Sequence, residues 1–164
     1  MPALDLFKLD GDVAIVTGAG RGIGKILAAA YAEAGAAVVT ADLDPKTAEQ
    51  TAAEIRKAGG KAMSVRVDVT KKKQAEAMVR AAVKKFGKLT IILNNAGICR
   101  HAAAEQMSEK DFDDVVAIDL KGVFLCSQAA ARVMIPRKYG RIVNIASMSG
   151  SVVASMIIEA SSGS

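Results

Sequence analysis

Tryptophan is absent, and with four phenylalanines and two tyrosines the aromatic share is only 4% of 164 residues. Platforms for stacking nucleobases are therefore missing, and the one basic run, Lys71-Lys72-Lys73, has no aromatic residue interleaved. That run reads as a solvated helix face, so the net charge of +5 does not by itself point to a nucleic-acid partner. Two cysteines, Cys99 and Cys126, are too few for a disulfide framework or a zinc cluster, and neither stands in a C-x-x-C. Both read as small core residues, and no metal site is expected. No apolar run approaches the ~18 residues of a membrane span. The opening, MPALDLFKLDGD, mixes acids with apolar residues, unlike a secretory leader. The expectation is a cytoplasmic protein with no membrane contact.

What is present is small and apolar. With 51% apolar and 24% charged residues the chain has the composition of a folded domain rather than a disordered one. Its abundance of Ala, Val, Ile and Gly suits helices packed closely on a buried parallel sheet. Short apolar runs recur at Val13 to Val16, Ala36 to Ala41, Ala62 to Val69 and Leu89 to Leu93, with helix-length segments between them. Gly35, Gly59 and Gly87 follow Ala-rich or Lys-rich stretches, where a helix would end on a left-handed residue. Asp44-Pro45 reads as an N-cap and first helical residue. Ser108 with Asp111 resembles a capping box and opens a long helix ending near Ile135, just before Pro136. A fifth strand is expected over Arg141 to Ala146. The pattern fades after Gly150, and neither an internal repeat nor a second domain is visible.

The stretch TGAGRGIGK, residues 17–25, follows the first apolar run directly. It fails the strict G-x-G-x-x-G fingerprint, because starting at Gly18 and Gly20 puts Ile23 where the third glycine belongs. A glycine-rich turn between a strand and a helix still lets an anion approach the free N–H groups of the helix that begins near Gly22. The partial positive charge of that helix end suits a pyrophosphate. Asp42, at the end of the second run, is placed to accept hydrogen bonds from ribose hydroxyls and to repel a 2′-phosphate, which favours NAD over NADP. Arg21, inside the turn, pulls the other way, since a guanidinium pairs with that phosphate. Asp68-Val69 and Asn94-Asn95-Ala96-Gly97 close the third and fourth runs, the edge at which open α/β sheets bind ligands.

On these residues the chain resembles the short-chain dehydrogenase/reductase family. The resemblance rests on TGAGRGIG at 17–24, Asp42, Asp68-Val69, NNAG at 94–97, LKGVF at 120–124 and GRIVNIASMSG at 140–150. It implies an α/β fold with a Rossmann-type doubly wound parallel sheet and NAD(P) along the strand carboxyl ends. The cofactor candidates are Gly18, Arg21, Gly22, Ile23, Gly24 and Asp42, with Asp68 and Val69 at the adenine and Asn95, Ala96 and Gly97 along the adenosine ribose and nearby backbone.

The implied reaction is hydride transfer between nicotinamide and a secondary alcohol or ketone, with a lean towards sugars and polyols from Ala-Ser-Met-Ser-Gly at 146–150. Ser147 falls at the family's catalytic serine, with Ser149 as runner-up. Asp119 occupies the position of the family's asparagine, a departure that adds a charge and removes an amide donor. The family also uses a Tyr four residues before a Lys, and this chain has no Y-x-x-x-K; Ala160 and Ser164 stand at the corresponding interval from Ser147. The expectation is a single NAD(P)-binding domain over residues 1–164, incomplete at its C-terminus. It is either a dehydrogenase whose Tyr and Lys lie beyond residue 164 or an inactive nucleotide-binding module. The long Ala-rich helix from Ser108 is the expected contact of a homo-oligomer. His101, the only histidine, is expected in a loop near the substrate entrance.

Overall fold

The computed structural model describes residues 6–146. Its five strands form one parallel sheet in the order β3-β2-β1-β4-β5. They are β1 (Val13–Thr17), β2 (Ala37–Asp42), β3 (Lys61–Arg66), β4 (Ile91–Asn94) and β5 (Arg141–Asn144). The helices are α1 (Gly22–Glu33), α2 (Pro45–Lys57), α3 (Lys72–Phe86), α4 (Glu109–Val115) and α5 (Val123–Met134). This is the Rossmann-like architecture the sequence implies.

Alternation along the strands divides the core in two. Ala14, Val16, Val38 and Leu93 face Ala28 of α1 and Ala52 and Ile55 of α2. Val13, Ile15, Val39 and Ile92 face Met78 and Val79 of α3 and Leu125, Ala129 and Ala130 of α5. Every residue of β1, β4 and the first five of β2 is buried, which is why these strands read as continuous apolar runs rather than as an alternating pattern. Each fully buried aliphatic side chain contributes roughly 1.5 to 3 kcal/mol.

The helix boundaries follow the expected caps. Asp44 accepts the Lys46 N–H at 2.9 Å ahead of Pro45. Gly35, Gly59 and Gly87 lie at φ +103°, +90° and +80°. Ser108 caps α4 by accepting the Asp111 N–H at 3.1 Å, but the carboxylate of Asp111 takes the Ser108 hydroxyl at 2.7 Å rather than its backbone amide, so the box closes through side chains. Lys71, Lys72 and Lys73 are exposed at the start of α3, as expected of a solvated face.

Two expectations need correction. The third run ends as a strand at Arg66, because the Val67 N–H turns to the Asp42 carbonyl and Asp68 begins a loop. The long helix from Ser108 is continuous but not uniformly α: residues Val116–Gly122 form a π-helical stretch between α4 and α5. In this helical run Ala129 and Ala130 face the core while Ala131 is partly exposed, and the large exposed residues are Phe112, Leu120 and Phe124. Among the described residues no helix is long and apolar enough to cross a membrane.

Candidate functional site

The chain leaves β1 towards β2 on one side, while β4 lies on the other, so the sheet's direction of winding reverses between β1 and β4. The loops leaving the two strands diverge there and open a crevice. It is a cleft of about 500 Å³, with Gly18, Arg21, Gly22, Ile23, Gly24, Asp42, Asp68, Val69, Asn95, Ala96 and Gly97 in its lining. All eleven cofactor candidates from the sequence therefore share one cavity. Leu43, Val67, Ile98 and Ile118 complete the wall.

The turn after β1 is held shut by the loop after β4. A Cβ on Gly24 would collide with the Gly18 carbonyl oxygen and come within 2.5 Å of the Asn95 Nδ2, so only glycine lets the two segments approach this closely. Gly22, at φ +54°, has nothing within 4 Å of its would-be Cβ and borders open space. Arg21 precedes α1 in an extended conformation and makes no side-chain cap, and the first turn of the helix carries no acidic residue. The amides of that turn and the positive end of the helix dipole are left facing the cleft.

Asn95 does not spend its side chain on the cleft. Its Nδ2 donates to the Thr17 carbonyl at 3.0 Å and to the Gly18 carbonyl at 3.3 Å. In return the Thr17 hydroxyl oxygen accepts the N–H groups of Asn95 and Ala96 at 3.0 and 3.1 Å. Thr17 was not singled out from the sequence, although a polar residue ending an apolar strand is a signal that buried partners must exist. Asp42 accepts the Gly20 N–H at 2.8 Å through Oδ2 and the Asp44 N–H at 3.1 Å through Oδ1. Two of the carboxylate's roughly four acceptor sites are thus used by backbone, and the rest remain for a ligand. Asp68 binds Thr70 through Oδ1, accepting the hydroxyl at 2.7 Å and the N–H at 3.0 Å.

Asp119 lies in the π-helical stretch, and its Oδ1 accepts the Ile98 N–H at 3.0 Å. It stands behind the loop that walls the cleft. The bond requires only an acceptor oxygen, which a carboxylate supplies as well as an asparagine amide does. Extra backbone in a π-stretch commonly marks a functional position, and here Ile118, one residue earlier, reaches the cleft. Gly122 closes the stretch where a Cβ would press to 2.8 Å from Val69 Cγ2, which accounts for the glycine of LKGVF.

Asn94 is buried and donates through Nδ2 to Ser127 Oγ at 2.9 Å and to Asn144 Oδ1 at 2.8 Å, joining β4 to α5 and the end of β5. Ser147 and Ser149 lie outside the described residues. Neither tyrosine borders the cleft: Tyr31 is on α1, where burial raises its hydroxyl pKa, and Tyr139 precedes β5 at the opposite end of the sheet. The two cysteines differ. Cys126 is a core residue, 1% exposed, and burial pushes its thiol up to about 11. Cys99 is exposed in the loop after β4, so the reading of it as a core residue is wrong. Among the described residues no group of three or more His, Cys, Asp or Glu side chains is arranged to hold a metal ion.

The family profile of the short chain dehydrogenases matches residues 12–161, and the chain belongs to that family. It is 41% identical over 135 residues to the (2S)-[(R)-hydroxy(phenyl)methyl]succinyl-CoA dehydrogenase subunit BbsD of Thauera aromatica, covering 82% of this chain and 54% of that one. A D-threitol dehydrogenase of Mycolicibacterium smegmatis is 40% identical over 146 residues, covering 89% of this chain and 56% of its own. Among solved structures, a gluconate 5-dehydrogenase from Burkholderia cenocepacia J2315 in complex with NADP and tartrate superposes with a TM-score of 0.86 at 40% identity, covering 92% of this chain and 59% of that one. The chain thus spans between half and two thirds of the length of these relatives.

Proposed function

We propose that residues 1–164 form one nicotinamide-dinucleotide-binding domain of an oxidoreductase that moves a hydride between the cofactor and a secondary alcohol or carbonyl carbon. The observation that carries this reading is the cleft at the β1/β4 divergence, where an uncapped helix end, an open glycine and an acid at the end of β2 face one cavity. The residues fit the group. The amides of Gly22, Ile23 and Gly24 hold the pyrophosphate, the free acceptor sites of Asp42 take the ribose hydroxyls, and Leu43, Val67 and Val69 flank the adenine beside Asp68. Asn95, Ala96 and Gly97 form the facing wall. When bound, the nicotinamide supplies or receives the hydride. Ser147, by its place in the family motif, donates a hydrogen bond to the substrate oxygen on which charge develops. Asp119 keeps the Gly97–Ile98 loop in place.

NAD is the preferred cofactor in this reading, because the Asp42 carboxylate repels a 2′-phosphate more directly than Arg21 attracts one. The NADP in the Burkholderia structure marks the alternative. The threitol and gluconate dehydrogenases support a polyol or sugar substrate, whereas the succinyl-CoA relative acts on a different class. Exposed Phe112, Leu120 and Phe124 support a homo-oligomer.

A second reading, nucleotide binding without turnover, rests on the position of both tyrosines away from the cleft. Calorimetric titration with NAD and NADP, followed by NADH oxidation assays with a panel of ketones and sugars, separates the two. Failure to bind either dinucleotide refutes both readings; with the protein assayed at the full length of its relatives, binding without turnover selects the second, and turnover selects the first.

A further inference from the structure

Residues 95–103 leave β4 and run without regular structure to a short 3-10 turn at Ala104–Gln106. Ile98 sits in the cleft wall, pinned by Asp119, and the next residue is Cys99. The Cys99 Sγ lies 3.3 Å from the His101 Nε2, and both side chains are exposed. Arg100, between them, turns its guanidinium to the Cys99 carbonyl at 3.5 Å and to the Asp111 carboxylate at 3.4 Å, which braces the loop against α4. The charged groups around the pair are therefore Arg100 and Asp111, with Asp119 bound to the amide of Ile98, the residue before Cys99. A solvent-accessible thiol within hydrogen-bond reach of an imidazole nitrogen has the arrangement of an activated nucleophile. The cofactor-binding reading gives this pair no role.

We propose that Cys99 and His101 form a thiol–imidazole pair that undergoes thiol–disulfide exchange with small disulfides, a modification site on the loop that walls the cleft. His101 Nε2 accepts the proton of the Cys99 thiol. The Cys99 sulfur attacks one sulfur of the small disulfide R–S–S–R, a new S–S bond forms to Cys99, and the original S–S bond breaks. The departing thiolate takes up the proton from the imidazolium and leaves as RSH. The small disulfide is the oxidant, and no other reactant is required. Cys126 is a built-in control, since it is buried in the core and its thiol ionises only near 11.

Glutathione disulfide is the probe, with the intact mass followed over time on the full chain and the modified peptide mapped. The expected product is one glutathionyl group per chain, on Cys99. His101→Gln is expected to slow its formation at neutral pH by roughly tenfold to a hundredfold, at or below the lower limit of what a positioned base contributes. The dependence of the rate on pH is expected to change, and added imidazole to restore part of the rate. In both proteins Cys126 stays unmodified until denaturant is added, which shows that the variant is folded. Equal rates in the two proteins, an unchanged pH profile, or native-state modification of Cys126 at the rate of Cys99 would overturn the proposal.

Discussion

The Thr17 hydroxyl and the Asn95 backbone amide meet at 3.0 Å across the divergence of β1 and β4, and the Asn95 side-chain amide returns the contact to the Thr17 carbonyl at the same distance. This reciprocal pair ties the end of β1 to the loop after β4. Thr17→Val keeps the shape but leaves the Asn95 and Ala96 amides without an acceptor. It is expected to cost about 1 to 3 kcal/mol, while Thr17→Ser costs far less. Urea unfolding of the two variants tests this; equal losses would mean that the methyl packing, not the hydroxyl, holds the turn.

Asp42 accepts two backbone amides and lines the cleft, so its charge and its acceptor role have to be separated. Asp42→Asn keeps one acceptor oxygen and removes the charge. It is expected to relax the bias against NADP by roughly 1 to 3 kcal/mol, whereas Asp42→Ala should also lower stability. Titration calorimetry decides the matter: tighter NADP than NAD binding to the unaltered protein would mean that Arg21 dominates.

Asp119→Asn retains an acceptor for the Ile98 N–H and is expected to leave cofactor affinity unchanged. Asp119→Ala removes the acceptor, and the Ile98 amide should then exchange with solvent about tenfold faster or more, as expected for the loss of a bond to a charged acceptor. Site-resolved hydrogen exchange gives the answer. Unchanged protection of Ile98 in the alanine variant would show that the loop is held elsewhere.

The buried thiol of Cys126 makes the fold sensitive to alkali. Its pKa rises from 9.0 to about 11 on burial, so the unfolded chain gives up the proton first. The associated stability is intact below about pH 9 and is lost as pH rises towards 11, an amount of roughly 2 to 3 kcal/mol. Cys126→Ala should flatten that alkaline decline, as measured by denaturant midpoints across the range. A decline that persists unaltered would assign it to other groups.

Much of the site was legible in the sequence because its residues sit at the ends of strands whose apolar runs are unmistakable. The turn at 17–24, Asp42 and NNAG each follow such a run, and parallel winding forces their ends to one edge. What stayed hidden depends on partners far along the chain. The role of Thr17 requires knowing that Asn95 lies opposite it. The π-stretch has no local signature; it accompanies the bond from Ile98 to Asp119 and the close approach of Gly122 to Val69. Composition placed Cys99 in the core because free cysteines are usually buried, yet its neighbours Arg100 and His101 keep that loop in water. Strand β3 was read too long because Val67 and Val69 remain buried after the ladder has ended.

The strand order carries a consequence for how the molecule is made. Because β1 pairs with β4 as well as with β2, the partners Ile15 and Ile92 must find each other across the entire α1–β2–α2–β3–α3 excursion. Closing so long a loop is slow and is rewarded only at the end. A nascent chain emerging from the ribosome can pair β1 with β2 and β2 with β3 early, but it has no cleft until NNAG has cleared the exit tunnel. A dinucleotide bound as proposed would therefore find no site on the early nascent chain, and any help it gave to folding would come after the fourth strand has docked.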